Sequence, residues 1–178
     1  MNAAARYTRT AIALHWLLAL AIFGNFALGI YMHELPFSLT RLKLYNWHKW
    51  AGVLILALSA ARLLWRLTHR PPEPPAGPAW QTKAAHAAHW ALYALFFAVP
   101  LSGWAYSSMA GFPIVLFGVL PLPDFVAADR AASEAFKPVH AALAMALAAV
   151  VLLHVAAALK HHFIDRDGLL DRMRPARS

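Results

Sequence analysis

The sequence predicts an all-α membrane protein, a four-transmembrane-helix bundle with both termini cytoplasmic. Three observations lead there. Hydrophobic residues make up 61% of the 178 residues and charged ones only 13%, with a mean hydropathy of +0.50, whereas soluble domains carry roughly 45–50% and about 25%. Four apolar runs each approach the ~20 residues that a helix needs to cross a bilayer. The basic residues fall unevenly between the connections.

The first run covers about residues 10–31, AIALHWLLALAIFGNFALGIY. Arg6 and Arg9 precede it as in a signal peptide, but the run is too long for a secretory h-region and no A-x-A-like site follows, so a retained membrane helix is expected. The second covers about 44–67 and ends in the basic segment RLLWRLTHR. Pro71, Pro72, Pro74, Pro75 and Pro78 then make a stiff cytoplasmic linker over about 70–80, because proline lacks the N–H a helix needs. The third run covers about 86–107 and holds Pro100 and Gly103, breakers that membrane helices tolerate. A long periplasmic loop over about 110–137 is apolar enough to dip into the interface. The fourth run covers about 138–161, and Pro138 suits its first helical position. No internal repeat divides the chain, so a single membrane domain over 1–178 is expected.

Four spans put both termini on one side. Arg6, Arg9, Arg62, Arg66, Arg70, Lys83, Lys160, Arg166, Arg172, Arg174 and Arg177 lie there, and Arg41, Lys43, Lys49, Arg130 and Lys137 lie opposite. The positive-inside rule makes the first side cytoplasmic.

Composition also excludes chemistry. With no cysteine, there are no disulfides, thiolate metal sites, iron–sulfur clusters or covalent haem attachment. The net charge of +8 punctuates apolar runs instead of clustering on polar surface, so nucleic acid is not a partner. No nucleophile–base pair, phosphate-cradling glycine loop or paired carboxylate is present. All eight acids fall in loops or at helix ends, which disfavours ion transport through carboxylates. Ten histidines remain, and an ionisable residue inside a span is a functional candidate by default.

His140 and His154 stand fourteen residues apart on the fourth helix. Fourteen steps of 100° return to within about 40° of the same face after about 21 Å of rise. One face therefore presents an imidazole near each surface, too far apart for one cluster but suited to two porphyrins. Bis-histidine haem, with one ligand from each of two helices, is the natural reading. At the outer level His48 is the partner of His140, and His33, at a loop edge beside Glu34, ranks below it. At the inner level His154 has His15, His86 and His89 as partners. A porphyrin lying against a helix needs a small side chain one turn from its ligand. Ala19, Gly52, Ala144 and Ala158 stand four residues after His15, His48, His140 and His154, whereas Trp90 and Tyr93 follow His86 and His89.

His86 and His89 share a helix face and read as an interfacial pair, or as a metal, propionate or quinone contact. Arg62, fourteen residues beyond His48, is placed to pair with inner haem propionates, and Arg66 is a second candidate; for Arg66 and Arg70 the reading as topology markers is preferred. Lys160, His161 and His162 are candidate quinone or propionate contacts. Arg41, Lys43, Lys49 and Lys137 form an outer basic group able to steer an anion toward a haem edge. The seven tryptophans fall largely near span ends, as interfacial belts do.

Along nearly its whole length the chain resembles the bacterial cytochrome b561 family of small di-haem membrane proteins. The resemblance rests on IALHWLLAL, on His48 opening the second helix, on ARLLWRL, the proline linker, the HxxH start of the third helix and PLSGW. It rests above all on KPVHAALAMALAAVVLLHVAAALKHHFIDRDGLLDRMRP. It implies two non-covalent b haems, with His15 and His154 on the inner iron and His48 and His140 on the outer, and so selects His15 over His86 and His89. The family is similar to the haem-bearing subunits of hydrogenases and formate dehydrogenases. Its small members look like superoxide:ubiquinone oxidoreductases, which implies an oxidoreductase passing electrons from periplasmic superoxide to membrane ubiquinone. The alternative is a haem b subunit relaying electrons between a periplasmic donor protein, docked on the 110–137 loop, and the quinone pool. A histidine-lined cation transporter is the third reading, and the absence of carboxylates within the spans weighs against it.

Overall fold

A computed structural model describes residues 6–73 and 78–174; Pro74, Pro75 and Arg177 lie outside the described residues. Four helices, α1 (Arg9–Glu34), α2 (Leu39–Thr68), α3 (Ala79–Met109) and α4 (Arg130–Lys160), are each long and apolar enough to cross a membrane. They run alternately up and down. One end of the bundle, the terminal end, gathers the start of α1, the end of α2, the start of α3 and the end of α4. The loop end holds the connections α1–α2 and α3–α4.

Three of the helices begin earlier than their apolar runs. α2 starts at Leu39 instead of about 44, α3 at Ala79 instead of about 86, and α4 at Arg130 instead of about 138. The added turns are polar, with Arg41 and Lys43, Gln81 to Lys83, and Arg130 to Lys137. Hydropathy marks the lipid-buried part of a helix, whereas the starts of α2 and α4 are set by side-chain caps; α3 follows Pro78 with no side-chain cap. Ser38 Oγ accepts from the Arg41 amide at 3.2 Å and Asp129 Oδ1 from the Ala132 amide at 3.0 Å. Thr8 caps α1 in the same way. Pro138 is therefore interior to α4 rather than at its first turn.

α1 packs closely on α2, α2 on α3 and α3 on α4. The core is thin: Ile12 and Leu18 from α1, Ile55 and Ser59 from α2, Leu92 and Ala105 from α3, and Leu147 from α4 are buried. Large apolar side chains such as Leu20 and Leu153 are about 70% exposed, as expected where the surrounding lipid is as apolar as the interior.

The α3–α4 connection, 110–129, folds back over the loop end. Val115–Leu116 pairs antiparallel with Leu120–Pro121 through a three-residue loop, 117–119, in which Phe117 and Gly118 both have positive φ, 54° and 74°, and the Val119 amide donates to the Leu116 carbonyl at 3.1 Å. Trp50 Nε1 donates to the Val115 carbonyl at 2.7 Å and Ser108 Oγ to Asp124 at 2.6 Å, tying the hairpin to α2 and α3. At the other end α4 passes into a π-helical turn, His161–Asp165, and a 3₁₀ turn, Leu170–Met173. This last segment crosses beneath the bundle: Trp16 Nε1 donates to the Met173 carbonyl at 2.8 Å and Arg172 to the Glu73 carbonyl at 2.6 Å.

Candidate functional site

Histidines from α1, α2 and α4 meet in two places. Near the loop end the ring centroids of His48 and His140 stand 6.2 Å apart with an interplanar angle of 84°. Near the terminal end His15 and His154 are also 6.2 Å apart, at 65°. Metal–imidazole bonds of about 2.0–2.1 Å, plus the ring radii, place two trans imidazole centroids roughly 6–6.5 Å apart. Both pairs match that separation. α4 carries one member of each pair but does not share with α1 or α2 the close backbone packing it has with α3.

The outer rings are held by their Nδ1 atoms. His48 Nδ1 lies 3.2 Å from the Asn25 carbonyl oxygen, and His140 Nδ1 lies 3.1 Å from that of Val99 and 3.0 Å from Ser102 Oγ. A carbonyl only accepts, so each Nδ1 carries the proton and each Nε2 keeps the lone pair that a metal requires. Two glycines make this possible. A Cβ at Gly103 would stand 2.9 Å from His140 Cε1, and one at Gly29 would stand 3.1 Å from His48 Cε1. Each ring therefore lies against a neighbouring helix, closely enough at Gly103 that a Cβ would force a shift and at Gly29 that it would make a tight contact. Gly52, one turn past His48, has nothing within 4 Å of a built Cβ, an open cradle beside the ligand candidate. Two of the buried polar atoms that lack a partner, Asn25 Oδ1 and Trp104 Nε1, belong to residues flanking this pair.

The inner pair has a third neighbour. The His89 ring centroid is 5.6 Å from that of His154, closer than the separation at either pair. His86, one turn earlier, is exposed. Beside His15 a cavity of about 220 Å³ opens between the start of α1 and the end of α2. Arg6, Arg62, Arg66 and Arg70 line it together with Trp65, Tyr93 and Met173, and no carboxylate does. Arg62 donates to the Ala11 carbonyl at 3.3 Å, one turn before His15. Arg66 and Arg70, which sequence alone assigns preferentially to topology, thus join Arg62 around one electropositive pocket suited to a dianion.

The remaining basic candidates divide by their contacts. Lys49 Nζ lies 3.3 and 3.4 Å from the carbonyls of Phe112 and Pro113, so it staples the hairpin connection over the outer pair. Arg41 folds back on Tyr45, 3.4 Å from its hydroxyl. Lys43 and Lys137 are exposed at the loop end. At the terminal end Lys160 pairs with Asp165 at 2.6 Å and His161 Nδ1 with Asp167 at 2.6 Å, so these two candidate quinone contacts are engaged by acids, while the His162 ring packs on Phe163. Partial burial pushes the Asp167 carboxyl up, but the Leu169 amide and the His161 ring outweigh this and hold it below the usual carboxylate range. A carboxyl depressed in the folded state contributes stability above its unfolded pKa, and that contribution is lost as pH falls through the folded one. Asp167→Asn is therefore expected to lower the thermal midpoint by a few degrees at pH 7. The gap to wild type should narrow as pH falls below about 4, which thermal melts across pH will check.

Two pairs of facing imidazoles, the one near the loop end anchored through Nδ1, lie inside a four-helix membrane bundle, an arrangement able to hold a metal group between paired histidines. The sequence comparisons agree with that arrangement. The model of the prokaryotic cytochrome b561 family matches residues 6–176. Cytochrome b561 homolog 2 of Escherichia coli is 37% identical over 174 residues, 97% of this chain and 93% of the relative. Cytochrome b561 homolog 1 of the same organism is 34% identical over 176 residues, 97% and 98% of the two chains. A probable superoxide oxidase, CybB, of Yersinia pestis is 30% identical over 129 residues, 72% of this chain and 73% of the relative. The chain belongs to the prokaryotic cytochrome b561 family, multi-pass bacterial membrane proteins that bind haem b and transfer electrons. The open cradle at Gly52, the matched ring separations and the carboxylate-free arginine pocket fit that cofactor.

Proposed function

We propose that this protein is a di-haem b oxidoreductase of the inner membrane that takes electrons from superoxide at the periplasmic loop end and delivers them to ubiquinone. His48 and His140 would hold the outer haem iron, His15 and His154 the inner one, and Arg62 with Arg66 the inner propionates. Haem, when bound, supplies reversible one-electron chemistry. The chain's own residues do the rest. With two histidines committed to each iron, the group would serve electron transfer in preference to binding oxygen. Lys43 and Lys137 present positive charge where an anion arrives. The loop-end hairpin, held by Lys49 and Trp50, covers the outer pair. In the overall reaction two superoxide ions lose one electron each to give two O₂, and one quinone gains two electrons and two protons to give the quinol.

The observation that carries this reading is the pair of equivalent histidine sites, one toward each end of a small bundle, with about 21 Å of α4 between their ligands. The named activity of the Yersinia pestis relative supports superoxide as the donor. The test is stopped-flow spectroscopy of the purified holoprotein mixed with superoxide, with and without a short-chain ubiquinone. Rapid appearance of the reduced Soret and α bands, followed by quinone-dependent reoxidation, is expected. Charge reversal at Lys43 and Lys137 should slow the first phase several-fold at low salt and flatten its ionic-strength dependence. Haem bands that do not respond to superoxide overturn the donor assignment.

A further inference from the structure

Resting on the reading of a quinone acceptor, we infer that the quinone headgroup binds in a cavity of about 150 Å³ between the terminal-end halves of α2 and α3. His86, His89, Trp90 and Tyr93 from α3 and Leu63 and Arg66 from α2 line it. A quinone headgroup is a flat, neutral ring with two opposed carbonyl acceptors, borne on an apolar tail. Its site needs donors at the ring's edge, aromatic or aliphatic walls for its faces, and an opening toward lipid.

The cavity meets each requirement. His86 and His89 stand at i, i+3 on one helix face and offer two imidazole N–H donors. Arg66, its guanidinium 5.9 Å from the Tyr93 ring centre, borders the cavity on the side of the arginine pocket. Tyr93 is buried and forms the floor, whereas Trp90 is 68% exposed and marks the wall that gives onto lipid. The cavity adjoins the inner histidine pair through His89, 5.6 Å from His154. It shares Arg66 and Tyr93 with the arginine pocket beside His15. His86 is exposed at the terminal end, so water reaches the edge where the quinone takes up its two protons. The acceptor thus gains two electrons originating from two superoxide ions and two protons from water, and leaves as the quinol. Lys160 and His161, two other donors near this end, already face Asp165 and Asp167.

Two measurements on the holoprotein in nanodiscs test the site. Photolabelling with an azido-ubiquinone, followed by peptide mapping, should place the label on residues 86–93 and 63–67. Label confined to residues 160–163 or to the loop end overturns the site. His86→Leu should keep wild-type haem content and dithionite-reduced spectrum while raising KM for a short-chain ubiquinone about ten-fold, as expected for one lost hydrogen bond. An unchanged KM overturns the site as well. If superoxide-reduced wild type is reoxidised by quinone while both site measurements fail, the acceptor reading stands and only its location falls. If wild type is not reoxidised at all, the acceptor reading falls and takes the site with it.

Discussion

His154→Ala is expected to lower the haem content from about two per chain to about one and to slow quinone reduction by more than about a hundred-fold. His154 is the member shared by every pairing the inner site allows, since both His15 and His89 face it. Its removal takes away an axial donor whichever partner is used. His140→Ala is expected to remove the other haem, so the two variants should leave complementary absorption spectra. The comparison of His15→Ala with His89→Ala then identifies the inner partner. The His15–His154 separation of 6.2 Å equals that of the outer pair, whereas the His89–His154 separation of 5.6 Å does not. Loss of the inner haem is therefore expected in His15→Ala and retention in His89→Ala. Pyridine haemochrome assays and reduced-minus-oxidised spectra read both outcomes. The reverse result would make His89 the ligand.

Gly103→Val is expected to remove the outer haem without touching a ligand. Even a single Cβ at this position would stand 2.9 Å from Cε1 and 3.3 Å from Nδ1 of His140, and valine adds two further methyl groups. The ring has little freedom to retreat, because its Nδ1 is held by the Val99 carbonyl and Ser102 Oγ. Moving it breaks those contacts and re-aims Nε2. Changes in the groups that orient a ligand typically weaken metal binding by about ten- to hundred-fold, and a direct clash belongs at the upper end. Ser102→Ala removes one anchor and leaves the space, so it should give a milder loss. Haem retention through size-exclusion chromatography separates the two variants. Full occupancy in Gly103→Val would show that the His140 ring does not lie against α3 in the holoprotein.

The glycine effect illustrates what a linear reading misses. The fourteen-residue interval between His140 and His154 is a property of one helix, and the regular 100° turn converts it directly into a shared face. The contact of Gly103 with His140, or of Gly29 with His48, joins residues on different helices. No periodicity announces it; an isolated glycine inside an apolar run was the only available sign. His89 was ambiguous for a related reason. Depth in the membrane follows from position in a helix, but His15 and His89 lie at the same depth, and only the rotation of α1 and α3 about their axes separates their distances to His154. Arg66 shows the same limitation. Its place beside Arg62 on a basic helix end was plain, yet its position between two cavities depends on how α2 packs on both α1 and α3.

The helix starts divide similarly. Apolar length defined the four spans, because a bilayer demands about twenty residues that hide their backbone polar groups. It missed the polar turns added at Leu39 and Arg130, where side-chain caps decide the boundary, and the turn added at Ala79, which follows Pro78 with no side-chain cap. Sequence by itself determined the class of protein, the number of spans, the exclusion of thiolate chemistry, and the presence of histidines at two depths, since lipid and helix geometry act on the chain locally. Tertiary structure alone decided which rings face each other, which nitrogen is anchored, which arginines surround one pocket and which lysine closes the loop end. Those outcomes depend on helix rotation and close approach, which arise only when separate helices pack.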